Sequence, residues 1–155
     1  MLKNIAGRKH QQIGGLLQEK TIMKRVVELA VSDELEVRKE AILAVYNIAS
    51  SGNVVSVVEC GAIRAICDCL GINDTEMLLR ALNTINRILK VGQKLGKDYV
   101  SFINECDGLI KIQNLQQHER NDVRKKADYI IDSYFAVNGG AVKAGKENRV
   151  KLPKK

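Results

Sequence analysis

The chain has 155 residues, enough for one domain with a substantial core, and 45% of them are hydrophobic while only 4% are aromatic, with no Trp and two Phe. That favours an aliphatic helical core, and with Pro153 as the only proline nothing interrupts a helix before the tail. No run approaches the ~20 apolar residues of a membrane span.

The start, Met1-Leu2-Lys3-Asn4, lacks the apolar core of a secretion signal, so a soluble intracellular protein is expected. The net charge of +7 is concentrated in the tail, where Lys143, Lys146, Arg149, Lys151, Lys154 and Lys155 face one acid, Glu147. The body is left at about +2, which gives little support to nucleic-acid binding.

In chain order, Leu2-Lys3-Asn4-Ile5-Ala6 resembles Val45-Tyr46-Asn47-Ile48-Ala49, the end of a long helix, so the chain reads as cut from a longer array with an uncapped apolar N-terminal face. Three units follow, each with two shorter helices and a longer third. The first is expected at Lys9–Glu19, Ile22–Val31 and Glu34–Ser50, and the second at Val54–Cys60, Ala62–Leu70 and Thr75–Val91. The third is expected at Asp98–Cys106, Leu109–Gln116 and Asn121–Ala136. Residues 1–136 form the repeat domain and 137–155 a basic, disordered tail in this reading.

The long helices superpose: Val37, Ala41, Val45 and Ile48 match Met77, Ala81, Ile85 and Ile88, with Val123, Ala127 and Ile131 in the same places. Second helices repeat as Met23 and Val26, Ile63 and Ile66, Leu109 and Ile112. The joints Glu59-Cys60-Gly61 and Glu105-Cys106-Asp107-Gly108 place a glycine where one helix ends and the chain turns; Thr21 holds that place in the first unit. Asp33, Asp74 and Asn121 stand where N-caps belong. Between the second and third units the offset grows from 40 to 46, and the extra residues fall in a polar loop, Gly92 to Lys97. Helical repeats of this period form solenoids, and solenoids present binding surfaces.

Catalytic chemistry has no constellation to stand on. There is no glycine-rich phosphate loop and no Ser/His/Asp set, and His10 and His118 lie far apart in polar stretches. Cys67-Asp68-Cys69 has the spacing of a metal pair but sits in an apolar helical run with no second pair, so the thiols read as small core residues. Neither an enzyme, a metal nor a cofactor is expected.

Units with this pattern resemble armadillo repeats, and an all-α right-handed superhelix is therefore expected. The match is closer to the importin alpha (karyopherin alpha) family. Glu36-Val-Arg-Lys-Glu-Ala41 with Asn47 is similar to that family's eighth repeat, and Ala81-Leu-Asn83 with Ile88-Leu-Lys-Val-Gly92 to its ninth. Ile103-Asn-Glu-Cys-Asp-Gly-Leu-Ile-Lys-Ile112, Leu115-Gln-Gln-His-Glu119 and Tyr134-Phe135 resemble its tenth. The resemblance implies a non-enzymatic nuclear import adaptor that shuttles between cytoplasm and nucleus. Its partners would be the localisation-signal peptides of cargo, importin beta in the full-length parent, the export receptor with Ran-GTP through the last repeats, and a nucleoporin, with no nucleic acid or membrane. A divergent armadillo scaffold that binds other partners is the competing reading.

In that family a Trp and, four residues later, an Asn project from each binding helix onto a basic peptide, with acids nearby for its charges. Carried over, Asn4 matches the seventh-repeat Asn, Glu40 an acid of the minor site, Asn47 the eighth-repeat Asn, and Leu43 stands where the Trp belongs. Asn83 and Arg87 take the same two places in the second unit, where Arg87 would repel a basic peptide. Judged without the resemblance, Asn47 is a solvent-facing helix residue and Glu40 a surface acid beside Arg38 and Lys39. The family's tail is acidic and this one is basic; Lys151-Leu-Pro-Lys-Lys155 reads either as a solvated end or as a mimic of a localisation signal.

Overall fold

The computed structural model describes the backbone of residues 8–135 and the side chains of residues 18–135; the sequence readings at Asn4 and in the tail lie outside these. Every regular element among the described residues is helical. The order is α1 (Arg8–Leu29), α2 (Leu35–Ser50), α3 (Val54–Glu59), α4 (Ala62–Cys69), α5 (Thr75–Leu95), α6 (Tyr99–Glu105), α7 (Gly108–Leu115) and α8 (Asn121–Ile130), closed by a π-helical turn over Ile131–Phe135.

The long helices α2, α5 and α8 pack side by side in sequence, and the shorter helices form a second row behind them. The superposed stripe is the core. Ala41, Val45, Met77, Ala81, Ile85, Ile88, Val123, Ala127 and Ile131 are all buried, as are Met23, Ile63, Ile66 and Ile112 in the second helices. In the first unit Val37 and Ile48 are only half-buried, whereas their counterparts Met77 and Ile88 in the central unit are closed off. An alanine at the same place in each long helix leaves room for its neighbour to approach, which larger side chains would deny.

Three local expectations need correction. The break expected near Thr21 is absent, and α1 runs through it. The joints that do turn use a left-handed residue, Gly61 at φ 95° and Asp107 at φ 61°, a conformation that β-branched Thr avoids. Gly108 at the third joint and Gly92, read as the start of a polar loop, serve a different purpose from the turning assigned to them, and α5 continues to Leu95 before the chain turns. Gly92 lies inside α5, where a Cβ would come within 2.8 Å of the Tyr99 ring, and Gly96, at φ 70°, ends the helix. Gly108 opens α7, and a Cβ there would collide with the Ile103 side chain and come within 2.8 Å of Cys67 Sγ.

Of the three expected caps only Asp74 caps, its Oδ1 accepting from Met77 N at 3.0 Å. At the start of α2 the N-cap is Glu34, whose side chain makes no capping bond, and at α8 it is Arg120. Asn121 has become the first helical residue, and its Oδ1 accepts from Arg124.

Gly108→Ala should therefore destabilise the chain by about 1–3 kcal/mol, the usual cost of overpacking a closed site. Gly52→Ala, at positive φ but with open space around it, should cost about 1–2 kcal/mol. Urea titration followed by helical circular dichroism measures both, and a Gly108→Ala midpoint equal to that of the parent protein would show that α6, α7 and α4 are not in the contact described.

Candidate functional site

Each long helix buries one stripe and exposes the other, and the exposed stripes align across the three units. On α2 the row is Glu36, Glu40, Leu43 and Asn47; on α5 it is Glu76, Arg80, Asn83 and Arg87; on α8 it is Asp122, Lys126 and Tyr129. Spacings of three and four keep each set on one helix face. At 1.5 Å of rise per residue, Glu40 and Asn47 stand about 10 Å apart along α2.

The structure brings Glu40, Leu43 and Asn47 together as a connected strip, with Glu40 and Asn47 exposed and Leu43 half-buried. Glu40 is not neutralised by the cations beside it in sequence. Lys39 Nζ turns to the next unit, 3.5 Å from Asp74 and 3.4 Å from Glu76, with Glu36 at 4.0 Å. This acidic company raises the Lys39 pKa, chiefly through its bond to Glu76. Arg38 turns inward, donating to the Ser32 carbonyl and, at 3.8 Å, to Cys69 Sγ. Glu40 is therefore an exposed acid with no ion-pair partner among the described residues, although Arg38 and Lys39 flank it in sequence.

Arg38 was not singled out from the sequence, although its copy in the third unit was visible. Arg124 donates to the carbonyls of His118 and Glu119 at 2.7 and 3.0 Å, so both arginines tie the start of a long helix to the loop before it. The second unit has Leu78 there, fully buried. Arg38 Nε is buried without a hydrogen-bond partner, so this anchor is only partly satisfied.

The cysteine pair belongs to the core. Cys67 and Cys69 have no exposed surface, and burial pushes the Cys67 thiol up to about 12. Cys69 Sγ lies 3.6 Å from the Ala30 carbonyl, and its thiol is also raised by burial. Cys60 and Cys106 are half-buried. His118 Nδ1 accepts from Arg120 N at 3.0 Å, which holds the loop before α8.

The atypical Arm repeat family matches residues 97–146 of the chain. Importin subunit alpha-3 of Caenorhabditis elegans is 40% identical over 83 residues, which is 54% of this chain and 16% of that protein. Importin subunit alpha-5 of Arabidopsis thaliana is 34% identical over 124 residues, covering 75% of this chain and 24% of the relative. The chain thus spans a quarter or less of the length of these relatives. Among solved structures, a designed armadillo repeat protein in complex with the peptide (KR)4 aligns with a TM-score of 0.61 at 26% identity, over 75% of this chain and 48% of the other. Computationally designed armadillo repeat proteins for modular peptide recognition align with a TM-score of 0.63 at 24% identity, over 80% and 51%.

The fold and its aligned face define an armadillo-repeat protein. Within that class the chain belongs to the importin alpha family, as these relatives show.

The buried thiols make a testable contribution to pH dependence. A Cys67 thiol with a folded pKa near 12 and an ordinary value of 9.0 when unfolded binds more protons in the folded state between those limits. Stability is then constant below pH 9 from this group and falls as pH rises above it, with a slope of up to about 1.4 kcal/mol per unit. Urea midpoints at pH 8 and pH 10 should differ less in Cys67→Ala than in the parent, and equal differences would remove Cys67 as a source. With a thiol-specific reagent at pH 8, Cys60 and Cys106 should react before unfolding and Cys67 and Cys69 only after it.

Proposed function

We propose that the chain is the C-terminal part of an importin-alpha-type adaptor and holds an extended basic peptide along α2. The observation that carries this reading is the unpartnered, exposed Glu40 one turn before Leu43 and two before Asn47 on a continuous strip. Glu40 offers a carboxylate to a Lys or Arg side chain, Leu43 packs on its aliphatic stem, and the Asn47 amide is able to bond the peptide backbone in both directions. Asn4 extends the strip in this proposal as the equivalent of Asn47 one repeat earlier. The family membership and the (KR)4 peptide on the designed relative support the same class of ligand.

Binding should be weak. Leu43 gives no cation–π attraction, and past Asn47 the corresponding place is Arg87, exposed and of the wrong sign for a basic peptide. In a full-length parent the stronger cargo contacts, importin beta, the export receptor with Ran-GTP and a nucleoporin would be engaged alongside this segment, and the protein would shuttle between cytoplasm and nucleus. The reading involves no cofactor or catalysis. Leu43 is the residue that favours the alternative, an armadillo scaffold serving partners outside nuclear transport.

Titration of the chain with a labelled Lys/Arg-rich peptide, followed by fluorescence anisotropy, tests the strip. Leu43→Trp should tighten binding about 2- to 30-fold, the range of ~0.5–2 kcal/mol for a cation–π contact. Glu40→Lys should weaken it roughly threefold or more, with the difference shrinking as salt is added. If both variants bind as the parent does, the peptide does not lie on α2.

A further inference from the structure

We infer that the cleft between α5 and α8 is a second peptide site of opposite charge preference, taking an acidic segment that carries one aliphatic or aromatic side chain. The cleft has a volume of about 160 Å³, close to that of an engineered cavity known to accept a benzene ring. Leu82 and Ile130, both fully buried, give it an apolar base, and Tyr129 lines it with a ring that is 58% exposed. An isolated ring of that size, held beside a concavity and open to water, is a ready stacking surface for an incoming side chain.

The polar residues of the cleft select the sign of the ligand. Lys125 and Lys126 line it, no acid does, and Arg87 follows Asn83 by one turn on α5. None of these three cations has an ion-pair partner among the described residues; the ion pairs near the row involve Lys39, Arg80 and Arg120. Asn86 also lines the cleft, and its Oδ1 accepts from Tyr134 Oη at 3.0 Å. One lone pair of that amide oxygen is engaged, and the amide also carries an N–H₂ group, a donor suited to a carbonyl or carboxylate.

The charges therefore differ along the solenoid: Glu36 and Glu40 on α2, a balanced Glu76 and Arg80 and then Arg87 on α5, and Lys125 and Lys126 lining the cleft, with Asp122 of α8 paired to Arg120. A phosphate backbone is a poorer match than an acidic peptide. Two lysines lining a pocket for one side chain do not make the extended basic stripe that nucleic acid requires, and α8 also carries Asp122 and Asp128. The inference stands apart from the basic-peptide strip on α2 and does not require it.

The test uses the full chain and three labelled peptides: an Asp/Glu-rich peptide with a single Leu, the same peptide with Asn and Gln for its acids, and the acidic peptide with Gly for Leu. At low salt the first should bind at least fivefold more tightly than the second and threefold more tightly than the third. The double variant Lys125→Glu, Lys126→Glu should abolish the first difference, and Tyr129→Ala should abolish the second. Independently of any variant, the acidic peptide should shift the side-chain amide resonances of Asn83 and Asn86. Equal binding of acidic and neutral peptides, unmoved amide resonances, or displacement of the acidic peptide by a short RNA that binds the same lysines more tightly would each overturn the inference. Parallel titration with a Lys/Arg-rich peptide separates the two sites: its weakening in Glu40→Lys, with acidic-peptide binding retained, assigns them to different units.

Discussion

The structure depends on one packing constraint, the close approach of consecutive long helices through an apolar stripe with a small residue at its centre. Ala41, Ala81 and Ala127 occupy the same place on α2, α5 and α8, and all three are buried. No single unit covers its own apolar face, so stability comes from stacking each on the next. Because the buried stripe is in register from unit to unit, the opposite stripe is in register too. The aligned row of Glu40, Leu43 and Asn47, then Asn83 and Arg87, then Lys126 and Tyr129 is a by-product of how the core is built.

Electrostatics then divides this row. Lys39 reaches across to Asp74 and Glu76, so Asp74 both caps α5 and pairs with the previous unit. Arg38 and Arg124 are drawn away to loop carbonyls. These diversions are what leave Glu40 without a cation at one end of the row. At the other end no carboxylate pairs with Arg87, Lys125 or Lys126 among the described residues, while Asp122 is taken up by Arg120. Exposed charges of this kind contribute little to stability, so they are free to serve recognition.

The departures from the sequence reading share a cause. Gly92 and Gly108 were read by their local turn preference, yet each is governed by its neighbours in space, and the turn placed at Thr21 is absent. Thr21 lies within a continuous α1, Gly92 gives way to the Tyr99 ring, and Gly108 makes room for Cys67 of the preceding unit and for Ile103. The αL residue of the third joint is Asp107, which tolerates that conformation better than most side chains. At α2 and α8 the N-caps are Glu34 and Arg120 rather than Asp33 and Asn121, and Arg38 and Arg124 tie each helix start to the loop before it.

The sequence by itself determined the helical class, the repeat period, the buried stripe and the family, because hydrophobic periodicity and motif spacing are properties of residues along one helix. It also placed Glu40, Leu43 and Asn47 on one face, since three- and four-residue spacing suffices for that. Tertiary structure alone decided which charges on that face remain unpartnered and that a cleft opens between α5 and α8. Both depend on residues roughly 40 apart in sequence: Lys39 pairs with Glu76, Asn86 bonds Tyr134, and Asn83 and Tyr129 line one cleft from two helices, none of which helical periodicity encodes.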